Sequence, residues 1–125
     1  MSHPFQYVVI RYVPRVDRGE CLNVGVVVHS QSAGVLHCVF HLEAPRLLAV
    51  DPGSDLDALR SALEAICAMC ERPPSEVDAT LSTQGKRFGW ISAPRSTVLQ
   101  PGPVHGGSVA DPRAEVERLL DRLVR

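Results

Sequence analysis

The chain has 125 residues, of which 45% are hydrophobic and 22% are charged. This length fits a single domain, residues 1–125, that can bury a working core without disulfide or metal staples. The formal net charge is −1, which argues against a dedicated nucleic-acid-binding domain, because such domains are usually strongly basic. No apolar run approaches the roughly 20 residues needed to cross a bilayer, and the N-terminus lacks the features of a signal peptide. We therefore expect a cytoplasmic protein that does not enter the membrane.

The first third of the sequence predicts three antiparallel strands. Residues 5–13 (FQYVVIRYV) are rich in β-branched and aromatic residues and apolar on both faces, which is typical of a central strand. Residues 14–20 (PRVDRGE) have the composition of a turn. Residues 22–29 form the second strand, in which Gly25 indicates a bulge or the close approach of another backbone. Residues 35–42 form the third, with one apolar face, so short loops connect an antiparallel meander.

The middle of the chain predicts helices. Residues 45–50 predict a short helix, and Ser54 then resembles an N-cap with Asp57 as its capping-box partner. The apolar stripe of the helix that follows has helical spacing and consists of Leu56, Leu59, Leu63, Ile66, Cys67 and Cys70. We expect the prolines at 73–74 to end this helix and residues 75–81 to add a further helical turn.

An irregular stretch, residues 87–107 (RFGWISAPRSTVLQPGPVHGG), holds the only tryptophan of the chain. Within it, residues 88–91 and 97–100 each have the composition of a short strand. Residues 102–107 contain so much glycine and proline that the sequence predicts only a loop there.

A final helix begins after this stretch, with Asp111 as the predicted N-cap and Pro112 at the first helical position. Its predicted apolar face consists of Val116, Leu119, Leu120, Leu123 and Val124. The order of elements predicts an α+β fold, in which helices pack on a single layer of antiparallel sheet with three to five strands. Because such a sheet leaves an edge strand that needs covering, we also expect a homodimer.

The cysteines allow two interpretations. Cys67 and Cys70 have the spacing of metal ligands, and His37, Cys38 and His41 could complete a site. Both cysteines of the pair nevertheless fall on the apolar stripe of their helix, where a free cysteine behaves as a small hydrophobe. We therefore predict core thiols, no metal and no cofactor.

Motifs for catalysis are weak in this sequence. Ser96, His105 and Asp111 contain the residue types of a serine triad, but no GxSxG motif accompanies them. The chain has no phosphate loop and no dinucleotide-binding fingerprint. We therefore predict no catalytic residues, and the chain is not expected to be an enzyme.

Polar residues embedded in apolar sequence are more informative, and one group lies in and around the first turn. Arg11 ends a buried strand, and the residues that follow it in this group are Arg15, Arg18, Glu20 and Asn23. A structural interpretation has Glu20 neutralise Arg11 or Arg18 while Asn23 fixes the turn. The functional interpretation is that the arginines bind a partner or an anion.

A second polar group lies in the irregular stretch and comprises Arg87, Trp90, Ser92, Arg95, Ser96, Thr97, Gln100 and His105. Arginine forks, hydroxyl groups and an indole face are used to recognise planar anions, nucleobases and protein surfaces. The prolines fix the segment, which lowers the entropy that is lost on binding. The alternative is a covering loop, in which Trp90 packs on the sheet and the arginines are solvated.

Both segments carry a resemblance to a known family. YVVIRYVPRVDRGECLNVGVVV and RFGWISAPRSTVLQPGPVHGGSVADP resemble the bacterial family of domain of unknown function 3037, and the resemblance spans essentially the whole chain. In the first stretch the matching positions are Tyr7, Arg11, Tyr12, Pro14, Arg18, Gly19, Glu20, Asn23, Gly25 and Val26. In the second they are Trp90, Ala93, Pro94, Arg95, Ser96, Thr97, Gln100, Pro101, Pro103, Val104, His105, Asp111 and Pro112. Cys21 departs from the pattern, and the Cys67–Cys70 pair lies outside it.

The resemblance implies a small stand-alone bacterial protein that is often encoded beside a kinase-like protein resembling the HipA toxins. We therefore predict a non-enzymatic binding or accessory module for a protein partner, with that HipA-like kinase as the candidate. The predicted contact residues are Arg15, Arg18, Trp90 and Arg95, while Glu20 and Asn23 hold the turn.

The alternative function is an anion- or nucleotide-binding site. It would be regulatory, or else a hydrolytic or phosphoryl-transfer centre in which His105 acts as the acid–base group. The residues that would form it are Arg11, Arg18, Arg95, Ser96, Thr97 and His105. Nucleic-acid binding is disfavoured by the net charge of −1.

Overall fold

The computed structural model describes residues 1–71, 81–95 and 97–125. The strands are β1 (His3–Tyr12), β2 (Leu22–Ser30), β3 (Val35–Phe40), β4 (Leu99–Pro101) and β5 (His105–Val109). The helices within the described residues are α1 (Ala44–Val50), α2 (Leu56–Glu71), α3 (Gln84–Ser92) and α4 (Pro112–Leu123). All five strands belong to one antiparallel sheet. The predicted α+β fold with a single sheet layer is therefore confirmed.

The sheet runs in the order β3-β2-β1, and β4 and β5 both pair with the outer side of β1. β4 lies beside the end of β1, with Arg11 opposite Gln100, and β5 lies beside its beginning, with Phe5 opposite Gly107. Between the two short strands, the amide of Gly102 donates to the carbonyl of Val9 at 2.8 Å. The predicted meander and the central position of the first strand are thus confirmed.

Gly25 fulfils both roles that its place in a strand predicts. The register between β1 and β2 shifts next to it: Ile10 pairs with Gly25, but the following residue, Arg11, pairs with Asn23. A Cβ atom at Gly25 would lie 3.1 Å from the carbonyl oxygen of Val39, so the neighbouring strand approaches too closely for a larger residue.

Helices cover both faces of the sheet. On what we call the three-helix face, α1, α2 and α3 bury side chains against strand residues such as Val8, Ile10 and Val27. On the α4 face, the final helix packs against Phe5 and Val28. The apolar residues predicted for the final helix do this packing: Val116, Leu119, Leu120, Leu123 and Val124. Asp111 caps this helix as predicted, since its Oδ1 accepts hydrogen bonds from the amides of residues 113–114 at 3.1 and 3.3 Å.

The predicted strand at residues 88–91 is wrong, because these residues belong to α3. Thr83 caps the helix by accepting a hydrogen bond from the amide of Lys86 at 3.1 Å. Phe88 and Ile91 are three residues apart and therefore share one helical face, which is buried in the core. Their aromatic and β-branched character favoured a strand, but this capping and spacing decide for a helix.

The predicted loop at residues 102–107 is also partly wrong, because β5 begins at His105. The ring of Phe5 lies over Gly107, and a Cβ atom there would be 2.9 Å from it. Gly107 is therefore required by a close approach within the sheet and does not mark a loop. The strand predicted at residues 97–100 is found two positions later, at Leu99–Pro101.

The predicted capping of α2 is wrong by one residue. Asp55, which precedes the helix, accepts a hydrogen bond from the amide of Ala58 at 3.0 Å. The hydroxyl of Ser54 is engaged elsewhere, with the Tyr12 hydroxyl and the Asp51 carbonyl, both at 2.8 Å. The prolines at 73–74 and residues 75–80 of the predicted helical turn lie outside the described residues.

Candidate functional site

An apolar groove lies on the three-helix face between α2 and β4, and we call it the α2–β4 groove. One part, of about 310 Å³, is lined by Ala62, Ala65 and Ile66 of α2 and by Ile10, Trp90, Ile91, Arg95, Thr97, Leu99, Gln100 and Pro101. A second part, of about 510 Å³, lies toward the start of α2 and is lined by Tyr12, Asp55, Ala58, Leu59, Ala62, Thr97, Val98 and Leu99. Because Ala62, Thr97 and Leu99 line both parts, they form one continuous depression.

The groove exists because α2 turns small side chains toward β4. Ala58, Ala62 and Ala65 are spaced four and three residues apart, which places them along one side of the helix. Each ends at a methyl group, so at these three positions the side chains of α2 leave space open beside the segment that carries β4.

Large apolar side chains are exposed along the groove. Trp90 is 50% exposed and Val98 is 47% exposed, while Ile10 and Ile91 are buried below them. Single exposed apolar residues are ordinary, but an apolar depression bordered by such residues is typical of an interaction site. The covering-loop interpretation requires Trp90 to pack on the sheet, whereas half of its surface is exposed at the groove.

Arg95 holds Trp90 in place at one end of the groove. Its guanidinium carbon lies 4.4 Å from the centroid of the indole ring, within the range of a cation–π contact. The same side chain donates from Nη2 to the carbonyl of Trp90 and from Nε to the carbonyl of Ala93 at 3.3 Å. Arg95 thereby satisfies a carbonyl in the last turn of α3 and fixes the chain that leaves this helix.

The opposite wall of the groove is stiffened by its own side chains. Thr97 donates from Oγ1 to the carbonyl of Leu99 at 2.6 Å, and Gln100 donates from Nε2 to the carbonyl of Thr97 at 2.8 Å. The amide of Val13 donates to the carbonyl of Val98 at 2.7 Å. This last bond joins the wall to the start of the arginine-bearing turn, so the two segments singled out in the sequence are neighbours.

Within that turn the charges are paired locally. Arg18 contacts Glu20 at 2.5 Å, and Arg15 lies 3.9 Å from Asp17. All four side chains are more than half exposed, so these pairs stabilise the fold little. Of the two partners considered for Glu20, the structure pairs it with Arg18. Asn23 instead donates from Nδ2 to the carbonyl of Leu123 at 3.0 Å, which ties β2 to the final helix.

Arg11 and His105 are not at the groove. Side chains alternate along β1, so Arg11 points to the α4 face, opposite to its groove-lining neighbour Ile10. Its guanidinium lies against Gly102, whose Cβ position would be 3.1 Å from the Arg11 Cζ. The ring of His105 stacks on Tyr7 on the α4 face, with the ring centroids 5.2 Å apart. Ser96 lies outside the described residues.

The cysteines of the core lie at the contact between α2 and β3. Cys67 donates from Sγ to the carbonyl of Cys38 at 3.3 Å, and burial raises the pKa of Cys70 to about 12. Among residues 1–71, 81–95 and 97–125, there is no group of three or more His, Cys, Asp or Glu residues placed to hold a metal ion. In the same residues no helix has both the length and the apolar character that a membrane span requires.

A model of the family described as "Protein of unknown function (DUF3037)" matches residues 7–124. The chain belongs to the DUF3037 family. The match leaves out only the first six residues and the last one. It therefore includes the arginine-bearing turn at residues 14–20, α2 and the groove wall that carries β4. The resemblance identified from the sequence is thereby confirmed. Comparison with curated proteins and with solved structures gave no significant match.

In this DUF3037 protein, sequence reasoning identified one wall of the groove and missed the other. Trp90, Arg95, Thr97 and Gln100 were candidates because of their chemistry, and all four line the groove. The alanines of α2 offered no chemistry, although their helical spacing was a readable signal. Their importance follows from the strand they face, which the sequence does not specify.

Proposed function

We propose that this DUF3037 protein is a non-enzymatic binding module that docks a protein partner in the α2–β4 groove. The observation that carries the proposal is the apolar depression bordered by the exposed side chains of Trp90 and Val98. Tryptophan at the rim of an apolar depression is typical of the residues that dominate binding energy at protein interfaces.

The polar chemistry of the groove supports binding over catalysis. Asp55 lines the part near the start of α2, whereas Arg95 lines the part near Ile66. These two charged groups therefore line different parts of the groove, and Arg95 is already engaged with the backbone of its own segment. General acid–base or nucleophilic chemistry needs its groups within hydrogen-bonding reach of one reacting atom. Tyr12 is the third ionisable residue that lines the groove, and its hydroxyl is engaged with the Ser54 hydroxyl at 2.8 Å.

The charges at the two ends set what the partner presents. A segment with apolar side chains along its length would fill the groove, and an acidic group near Arg95 would complement its half-buried guanidinium. The HipA-like kinase suggested by the family resemblance is the partner that we propose to test first. The anion-site alternative has less support, because Arg11 and Arg95 are directed to opposite faces of the sheet.

The test fills the groove without disturbing the core. We expect Ala62→Arg to abolish co-purification with the co-expressed HipA-like kinase, because the new side chain occupies the groove. Ala68→Arg is the matched control, since Ala68 is exposed on the same helix and does not line either part of the groove. We expect Trp90→Ala to weaken binding at least tenfold, because truncated interface tryptophans typically cost about 2 kcal/mol or more.

Two results would contradict the proposal. If Ala62→Arg retained the kinase as well as Ala68→Arg does, the groove would not be the docking site. If the unaltered protein retained no kinase, the HipA-like kinase would be excluded as the partner. Circular dichroism melting of each variant separates loss of binding from loss of fold.

A further inference from the structure

We propose that Cys38 and Cys67 form a reversible oxidation site, in which a peroxide joins the two thiols into a disulfide that links β3 to α2. This inference does not depend on the proposed partner docking, because it concerns the opposite side of α2, where the helix packs on β3.

The two cysteines are held against each other by the packing of their elements. Cys38 is buried on β3 with 4% of its surface exposed, and Cys67 lies half-buried on α2. The sulfur of Cys67 is 3.3 Å from the carbonyl oxygen of Cys38. The Cys67 sulfur therefore touches the residue that carries the second thiol, and the proposed bond requires the two sulfurs to meet by rotation of the side chains.

The third cysteine of the cluster is a poorer partner for Cys67. Cys70 lies three residues along the same helix, where Cβ atoms are about 5–6 Å apart. A disulfide requires Cβ atoms about 3.5–4.5 Å apart, so a Cys67–Cys70 bond would distort α2. Cys21 is exposed on the loop before β2, away from α2 and β3 in the sequence.

The environments of the thiols assign them different roles. A hydrogen bond with Cys38 lowers the pKa of Cys67, and the same interaction together with burial raises the pKa of Cys38. Cys67 is also the more exposed of the two. Because the thiolate is the reacting form, Cys67 is the thiol that meets the oxidant and Cys38 is the one that resolves the product.

The chemistry runs in two balanced steps. The Cys67 thiolate attacks one oxygen of hydrogen peroxide, so that an S–O bond forms, the O–O bond breaks and hydroxide leaves, which takes up a proton to become water. The Cys38 thiol then loses its proton and its sulfur attacks the Cys67 sulfur, so that the S–S bond forms and the oxygen leaves as a second water. Two thiols lose two electrons in total, and one peroxide is reduced to two waters. A small thiol reverses the process by exchange.

The test uses the full chain with Cys21→Ser, which removes the exposed thiol that would form bonds between molecules. After treatment with hydrogen peroxide, we expect the intact mass of the protein to fall by about 2 Da. When the remaining thiols are then alkylated, we expect only one thiol, that of Cys70, to react. Peptide mapping should recover residues 38 and 67 in one cross-linked species, and dithiothreitol should restore three free thiols.

Variants assign the roles of the two cysteines. In the Cys21→Ser background, Cys67→Ser should prevent the bond, whereas Cys70→Ala should leave it intact. Cys38→Ser should leave a sulfenic acid on Cys67 that dimedone labels. A bond between residues 67 and 70 would overturn the proposal. So would three thiols that stay fully alkylatable at peroxide concentrations that oxidise a small thiol.

Discussion

Each face of the sheet has a depression beside a short outer strand, β5 on the α4 face and β4 on the three-helix face, but residues of different chemistry border the two depressions. On the α4 face the helix packs mainly on β2 and β3, and the depression between it and β5 is bordered by Glu115, Arg118 and Arg122. On the three-helix face α2 also packs on β3, and the depression beside β4 is bordered by alanines, Trp90 and Val98. In the first depression α4 contributes three charged side chains, whereas α2 contributes only apolar ones to the second, which favours the second as a site for an apolar partner. The residues that border a depression, and not the number of helices around it, therefore decide whether it is a candidate site.

The largest expected effect comes from truncating the closely packed part of the α4 face. Leu120 is 1% exposed and packs in the only helix that covers this face among the described residues. We expect Leu120→Ala to lower the free energy of unfolding by about 2–5 kcal/mol, because the cavity it leaves adds to the lost burial. Urea denaturation measures this change.

The paired variant on the three-helix face is Ala62→Leu, which adds apolar volume to the groove. Because the groove has room for the added atoms, we expect the free energy of unfolding to change by less than about 1 kcal/mol. If Ala62→Leu destabilised the protein as much as Leu120→Ala, the groove would be packed space and the contrast between the faces would fail.

A loss of stability smaller than the upper end expected for Leu120→Ala should follow from replacing Arg87, a buried cation on the three-helix face. It is 3% exposed and donates to the carbonyls of Leu81, Met69 and Cys70 at 3.0 to 3.3 Å, which satisfies carbonyls near the end of α2. Arg87→Met keeps much of the apolar stem but removes these donors. We expect the free energy of unfolding to fall by about 2–3 kcal/mol, because buried carbonyls lose charged hydrogen-bond donors. A loss below about 0.5 kcal/mol, measured by the same urea titration, would mean that water replaces the guanidinium.

The smallest expected effect is a pH dependence from the same face. His29 stacks on Phe88 with ring centroids 5.3 Å apart, and burial lowers its pKa from the usual value of 6.5. Since the unfolded chain then takes up the proton more readily, His29 lowers stability as the pH falls from about 6.5 toward the pKa of the folded state. Above about pH 6.5 both states hold His29 neutral and the effect disappears.

The measurement is the difference in melting temperature between about pH 7.5 and pH 5.5. We expect His29→Phe, which keeps a ring against Phe88, to lose less melting temperature over this interval than the unaltered protein. Equal losses in the two proteins would assign the acid sensitivity to other groups.

Much of this fold could be predicted from the sequence, because local patterns agree with the tertiary structure there. Alternating and continuous apolar runs gave the first three strands, and Asp111-Pro112 located the start of α4. The errors concentrate in the irregular stretch. Phe88 and Trp90 have the composition of strand residues but lie in a helix, and Gly107 has loop composition but lies in a strand. At Gly107 a contact distant in sequence, with the ring of Phe5, decides the backbone. At residues 88–91 the Thr83 cap and the burial of one helical face in the core decide it.

The candidate site divides in the same way. The sequence by itself determined the family, the α+β class, and the special chemistry of Trp90, Arg95 and the arginine turn, because these depend on residue type and local spacing. It also predicts a homodimer, and this stays a prediction. Only the tertiary structure decided that Ala62 lines the groove and that Arg11 and His105 do not. The reason is geometric, since side chains alternate along a strand and neighbouring residues such as Ile10 and Arg11 are sent to opposite faces of the sheet.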